Sequence, residues 1–181
     1  MVPAQTTRPA WLSRIKEFAA PDSGAAARQL INTLLPYFAI LALMYLTIRW
    51  GLPEAVTLAL SLPAALFLVR VFILFHDCSH GSFLKSKRAM TAIGTFLGIL
   101  TFTPYATWRC CHGIHHATVG NLDRRGVGDI WTMTVQEYQA SSRFARLKYR
   151  LYRHPLVLFV LGPVYVFLIK NRFPDKHAKR G

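Results

Sequence analysis

Five of the seven histidines fall into two tight strings, HDCSH at residues 76–80 and HGIHH at residues 112–116. His76 and His80 are four apart, so on a helix they project from one face, one turn apart, and two imidazoles can reach one metal site. His112, His115 and His116 use spacings of three, four and one. His112 then shares a helical face with both of the others. The adjacent pair fans apart by about 100°, which suits two neighbouring metals better than one. His154 and His177 stand alone and read as surface or satisfied residues. A single pair at this spacing arises readily by chance. Five histidines at the ends of apolar segments point to a metal site, because ionisable groups at membrane depth are costly and are kept for function.

Imidazole suits zinc, copper, iron and nickel. No glutamate adjoins either string, so a metalloprotease helix is absent. Carboxylate-rich di-iron bundles use Glu together with Glu-x-x-His. Here Glu137 is followed three residues later by Ala140, and Glu17 and Glu54 have no histidine near them. A haem needs two histidines, usually on facing helices, and five overshoot that. An all-histidine di-iron site is the best fit. Cys78, Cys110 and Cys111 form neither a disulfide framework nor a CxxC ribbon.

The elements that must position these residues are apolar. Hydrophobic residues make up 52% of the 181, mean hydropathy is +0.27, and 22 Lys+Arg face 8 Asp+Glu for a net charge of +14. That is too apolar for a typical soluble domain of this size. The positive charge reads as cytoplasmic loops held against anionic headgroups, not as a nucleic-acid surface. The expected fold is all-α: an integral membrane protein with a transmembrane helical hairpin followed by re-entrant or interfacial helices. Residues 1–33 hold Pro3, Pro9 and Pro21 and no compact apolar core, so they are no signal peptide and read as a cytoplasmic arm. Residues 11–20 within it suit the membrane surface.

Four apolar stretches follow. Residues 34–50 and 52–75 make helices of roughly 25 and 36 Å, long enough to span. Gly51 to Glu54 turns between them, Pro63 should kink the second, and Arg70 can snorkel to the interface. Residues 90–105, about 24 Å, are short for a span. If both histidine strings serve one metal centre, this stretch must enter and leave on one face. Residues 155–169, about 22 Å, are interrupted by Gly162-Pro163. They lie between Arg146, Lys148, Arg150 and Arg153 on one side and Lys170, Arg172, Lys176 and Lys179 on the other. The positive-inside rule wants both flanks cytoplasmic, so this segment is expected to be re-entrant or interfacial.

From about residue 34 to the C-terminus, and most strongly over residues 75–138, the chain resembles the membrane fatty acid desaturases, close to bacterial acyl-lipid types grouped with the Δ12 (omega-6) enzymes. HDCSH followed by Gly81-Ser82-Phe83 looks like the family's H-D-C-x-H-x-S-F. Trp108-Arg109 through HGIHHA is similar to its H-x-x-H-H element. The runs from Gly120 to Asp123 and from Gly126 to Thr132 also look like family sequence. The resemblance implies a partial desaturase domain over residues 34–181 and O2-dependent insertion of a cis double bond into a fatty acyl chain. It further implies two non-haem Fe ions held by His76, His80, His112, His115 and His116, with the boxes facing the cytoplasm of a multi-pass protein. Asp77 orients a ligand imidazole on this reading. Asp129 plays the same part or serves a turn. Electrons are expected from ferredoxin or a cytochrome b5-type donor, and Lys85, Lys87, Arg88 and Arg109 suit an acidic donor or headgroups. The family's third box, an H-x-x-H-H, is missing here, and five ligands leave two six-coordinate irons short. The expectation is therefore a chain incomplete alone: a truncated gene, a fragment, or half of a split enzyme whose partner chain carries the third box. A histidine-box hydroxylase or ketolase and a non-catalytic metal-binding remnant are the alternatives.

Overall fold

The computed structural model describes residues 20–173, together with Trp11 and Ile15. The segment 11–20 expected at the membrane surface, and Lys176, His177 and Lys179, fall wholly or mostly outside the described residues. Every regular element among the described residues is helical. The chain divides into two compact units, Met1–Ile93 and Gly94–Gly181.

The first unit is the hairpin. Helix α1, Ser23–Arg49, starts earlier than its apolar stretch. The cause is Asp22, whose Oδ1 accepts from Gly24 N at 2.8 Å and Ala25 N at 3.1 Å. Those two N–H groups, Ala25 foremost, hold the Asp22 carboxyl below the usual carboxylate range. Alanines 25–27 then carry the helix into the apolar run. Helix α2, Glu54–His80, passes through Pro63 without a break. Both helices are long and apolar enough to cross a membrane.

The turn between them closes as expected. Leu52 N donates to Thr47 O and Gly51 N to Ile48 O, with Gly51 at φ 66°, the left-handed end that glycine tolerates best. The hydroxyls of Thr47 and Thr57 meet at 2.8 Å across the hairpin. A seam of Ala26, Thr33, Tyr37 and Thr47 on α1 is buried, as is one of Ala64, Val71, Leu74, Phe75 and Cys78 on α2. Leu35, Leu58, Leu62 and Leu66 point outward, each about two-thirds exposed, as a lipid-facing surface requires.

Helix α3, Lys87–Leu100, crosses the junction of the two units, and α4, Tyr105–Thr118, follows after an elbow of 99°. At 14 residues α3 is about 21 Å long, short of the bilayer core. The elbow is built from Thr103 N donating to Gly98 O, Thr101 Oγ1 donating to Leu97 O, and Phe102 at φ 54°. Tyr105, 6% exposed, packs its ring against Gly94; a Cβ there would sit 2.4 Å from its Cε2. Gly94→Ala is therefore expected to cost about 1–3 kcal/mol by overpacking. It should lower the thermal midpoint of the purified protein, and adding Tyr105→Leu should recover part of the loss. No change in midpoint would refute the contact.

Beyond residue 134 come α5 (Val135–Ala140) and α6 (Arg143–Tyr152), and then a bend of 59°. A π-helical turn, Val157–Leu161, and α7, Gly162–Leu168, follow. The Gly162-Pro163 pair does not break this segment; it widens it. Gly162 N donates to Val157 O, five residues back, and a Cβ on Gly162 would approach that oxygen to 3.0 Å. Asn171 Nδ2 donates back to Phe102 O at 3.4 Å and Thr103 Oγ1 at 3.3 Å, tying the end of this segment to the elbow.

Candidate metal centre

His76 and His80 occupy the last turn of α2, which ends on Gly81 at φ 78°. Phe75 and Cys78 take the buried face of that turn, which leaves the histidines on the other. Their Nε2 atoms lie 3.2 Å apart, and His76 Nδ1 lies 3.4 Å from Asp77 Oδ1. Within the second unit, His112 and His116 repeat the arrangement on α4, with Nε2 atoms 3.0 Å apart. The Trp108 ring stacks on His112 at 4.1 Å between centroids and 22° between planes, which fixes the imidazole's tilt.

These separations test whether the donors fit a metal. Two cis nitrogens at about 2.1 Å from an octahedral ion lie about 3.0 Å apart, which is what each pair presents. Without an ion the same contact is an N–H···N hydrogen bond, so the pairs are already in place for one.

His115 does not join its neighbours. Its ring centroid is 6.0 Å from that of His112 and 5.7 Å from that of His116. Its Nδ1 lies 2.9 Å from Asp129 Oδ1, without the alignment of a hydrogen bond. The other oxygen, Asp129 Oδ2, accepts from Gly126 N at 3.0 Å. One carboxylate thus meets a histidine with one oxygen and closes a turn with the other.

The loop carrying Asp129 is held from two sides. Gly128, at φ 76°, packs on His115, where a Cβ would come within 3.0 Å of the histidine's own Cβ. Trp131 N and Met133 N each donate, at 3.3 Å, to the phenol oxygens of Tyr152 and Tyr149 on α6. The Trp131 ring meets both tyrosines edge-on. Gly128, Tyr149, Tyr152 and the Trp108 stack carry no signal in histidine spacing; the glycine-rich run 126–129 was the one available hint. Gly128→Ala combines left-handed strain with a clash against His115. The expected result is loss of bound metal at largely unchanged helicity, read by metal analysis and far-ultraviolet circular dichroism. Metal binding equal to the parent's would refute the contact.

Arg125 clamps the far end of the loop. Its guanidinium donates to Thr132 O at 2.9 Å and pairs with Glu137, which also closes a capping box with Thr134 at the start of α5. The Arg125 guanidinium first, and Thr134 N second, hold the Glu137 carboxyl below the usual carboxylate range. A carboxyl depressed by folding stabilises the fold above its unfolded pKa, and the contribution disappears as pH falls through the lower folded value. Proteolytic nicking of residues 119–134 is therefore expected to rise as the pH drops through that acidic window. Glu137→Gln should be nicked readily at neutral pH as well; a variant as resistant as the parent would sink the clamp.

Lys85, Lys87, Arg88 and Arg109 are all exposed. His154 Nδ1 accepts from Leu156 N at 3.3 Å, a local role at a helix start.

Two membrane-length helices, with a pair of close imidazoles at the ends of α2 and α4, mark a membrane protein whose histidines are compatible with a metal site. The family model for fatty acid desaturase matches residues 53–180, and the chain belongs to that family. A fatty acid desaturase of Bacillus subtilis (strain 168) is 50% identical over 92% of this chain and 47% of its own length. An sn-1 acyl-lipid omega-3 desaturase (ferredoxin) of Synechocystis is 36% identical over 60% of this chain and 27% of its own. An endoplasmic-reticulum omega-3 fatty acid desaturase of Vigna radiata is 32% identical over 60% of this chain and 26% of its own. The chain thus spans about half to a quarter of the length of these relatives. No solved structure matches it.

Proposed function

We propose that these residues supply two of the histidine boxes of an acyl-lipid desaturase that introduces a cis double bond with O2 as co-substrate. The observation that carries this reading is the pair of Nε2···Nε2 separations, 3.2 Å and 3.0 Å, at the ends of α2 and α4. His76, His80, His112, His115 and His116 would hold two Fe ions. Bound iron supplies the oxidising power that removes hydrogens from adjacent methylenes. Asp77 and Asp129 orient His76 and His115, and an Nδ1 engaged by carboxylate leaves Nε2 as the ligand atom. Five imidazoles do not saturate two six-coordinate ions. Further ligands come from residues outside these 181, on the same polypeptide or a partner chain. The two apolar helices cross the membrane, with the boxes on the cytoplasmic side beside Lys85, Lys87, Arg88 and Arg109. Those cations suit an acidic donor such as ferredoxin or a cytochrome b5-type protein. The ferredoxin named for the Synechocystis relative supports that class.

The test is co-expression of this chain with the part of the Bacillus subtilis relative that it does not cover. Fatty acid methyl esters from those membranes should be two hydrogens lighter than their saturated parents. Oxygenated esters instead would mark a hydroxylase, and unchanged esters with no bound iron would overturn the reading.

A further inference from the structure

Helix α6 has two distinct long faces. Ala145, Arg146, Tyr149 and Tyr152 are partly covered and turn toward the 119–134 loop, where Tyr149 and Tyr152 accept its backbone N–H groups. Phe144, Leu147 and Leu151 point the other way and are 76%, 52% and 58% exposed. At about 100° per residue these three fall within one arc of about 60°. Lys148 borders that arc on one side, and Arg143 and Arg150 border it on the other. No acidic residue occurs in the helix. Arg150 is anchored through Nε to the Tyr138 phenol at 2.6 Å, and Lys148 Nζ sits 6.0 Å above the Trp131 ring.

We infer that α6 lies in the surface of an anionic bilayer, with Phe144, Leu147 and Leu151 inserted at the boundary between headgroups and acyl chains. A narrow apolar stripe that only completed a protein core would not need three long cations along both its edges. A stripe entering a headgroup layer does, because the stems of Lys and Arg follow the apolar surface while their charges reach phosphate. Arg146 lies on the covered face, where it donates to Ser141 O at 2.9 Å, so the cations that border the apolar stripe are Arg143, Lys148 and Arg150. The occupant is the lipid surface itself, and the inference does not depend on the redox chemistry.

The test places the photoreactive residue p-benzoylphenylalanine at position 144, 147 or, separately, 149 of the whole chain. Each variant is reconstituted in bilayers of phosphatidylglycerol and phosphatidylethanolamine, and irradiated. Mass spectrometry should find phospholipid adducts at 144 and 147, and adducts within the polypeptide at 149. Polypeptide adducts at 144 and 147 would overturn the inference. Lys148→Glu with Arg150→Glu should cut the lipid adducts by about fivefold or more, with Lys148→Gln alone as a milder variant should the double change fail to fold. Equal yields in phosphatidylcholine bilayers and anionic ones would overturn the anionic assignment.

Discussion

Converting His112 to alanine is expected, on the proposed reading, to cost the α4 box its metal and the co-expressed enzyme about 100-fold in desaturation. His112 is held on two sides. Its Nε2 converges with that of His116 at 3.0 Å, and its ring is set by the Trp108 stack. Alanine removes one of two converging donors, and the remaining imidazole binds a divalent ion far more weakly by itself. The measurement is iron per chain, by elemental analysis of protein purified from membranes, together with the ester profile of co-expressing cells. His154→Ala is the control, since that ring serves only its own helix start. If His112→Ala keeps the parent's iron and product while His154→Ala does too, the box is not a metal site.

Asp129→Asn is expected to lower metal retention by about 10–100-fold, the usual effect of losing a carboxylate behind a ligand histidine. Asparagine keeps an oxygen for Gly126 N, which Asp129 Oδ2 accepts at 3.0 Å, so the loop should hold its course. It loses the negative charge that faces His115 Nδ1 at 2.9 Å. Asp129→Ala loses both contacts and should also expose residues 119–134 to protease. That difference separates the two jobs of one side chain. Metal affinity unchanged in both variants would show that His115 needs no orienting partner.

Much of this was legible before any coordinates. The i, i+4 spacing placed His76 with His80 and His112 with His116, because 3.6 residues per turn leaves little choice on a helix. The hairpin followed from two apolar runs with Gly51 and Pro53 between them. What stayed hidden depended on contacts between separated residues. The early start of α1 was missed because residues 23–33 are not strongly apolar; a capping aspartate and three alanines, rather than hydrophobicity, make them helical. The Gly162-Pro163 pair looked like an interruption, yet the backbone absorbs it as a π-turn. Asp129 could be nominated from its place in the run from Gly126 to Thr132, but spacing along the chain cannot show that one of its oxygens reaches His115. The tyrosine clamp was less visible still, because Trp131 finds Tyr152, and Met133 finds Tyr149, only after α6 folds back along the loop.

The Gly51 turn bears on how the hairpin responds to chemical labelling. The link between the two membrane-length helices holds no charged side chain from Trp50 to Pro53, and no lysine occurs between Lys16 and Lys85. An amine reagent has nothing in the hairpin to modify. Residues 23–80 thus carry no amine at all, and the first lysine after them is Lys85, which begins the basic run beyond the end of α2.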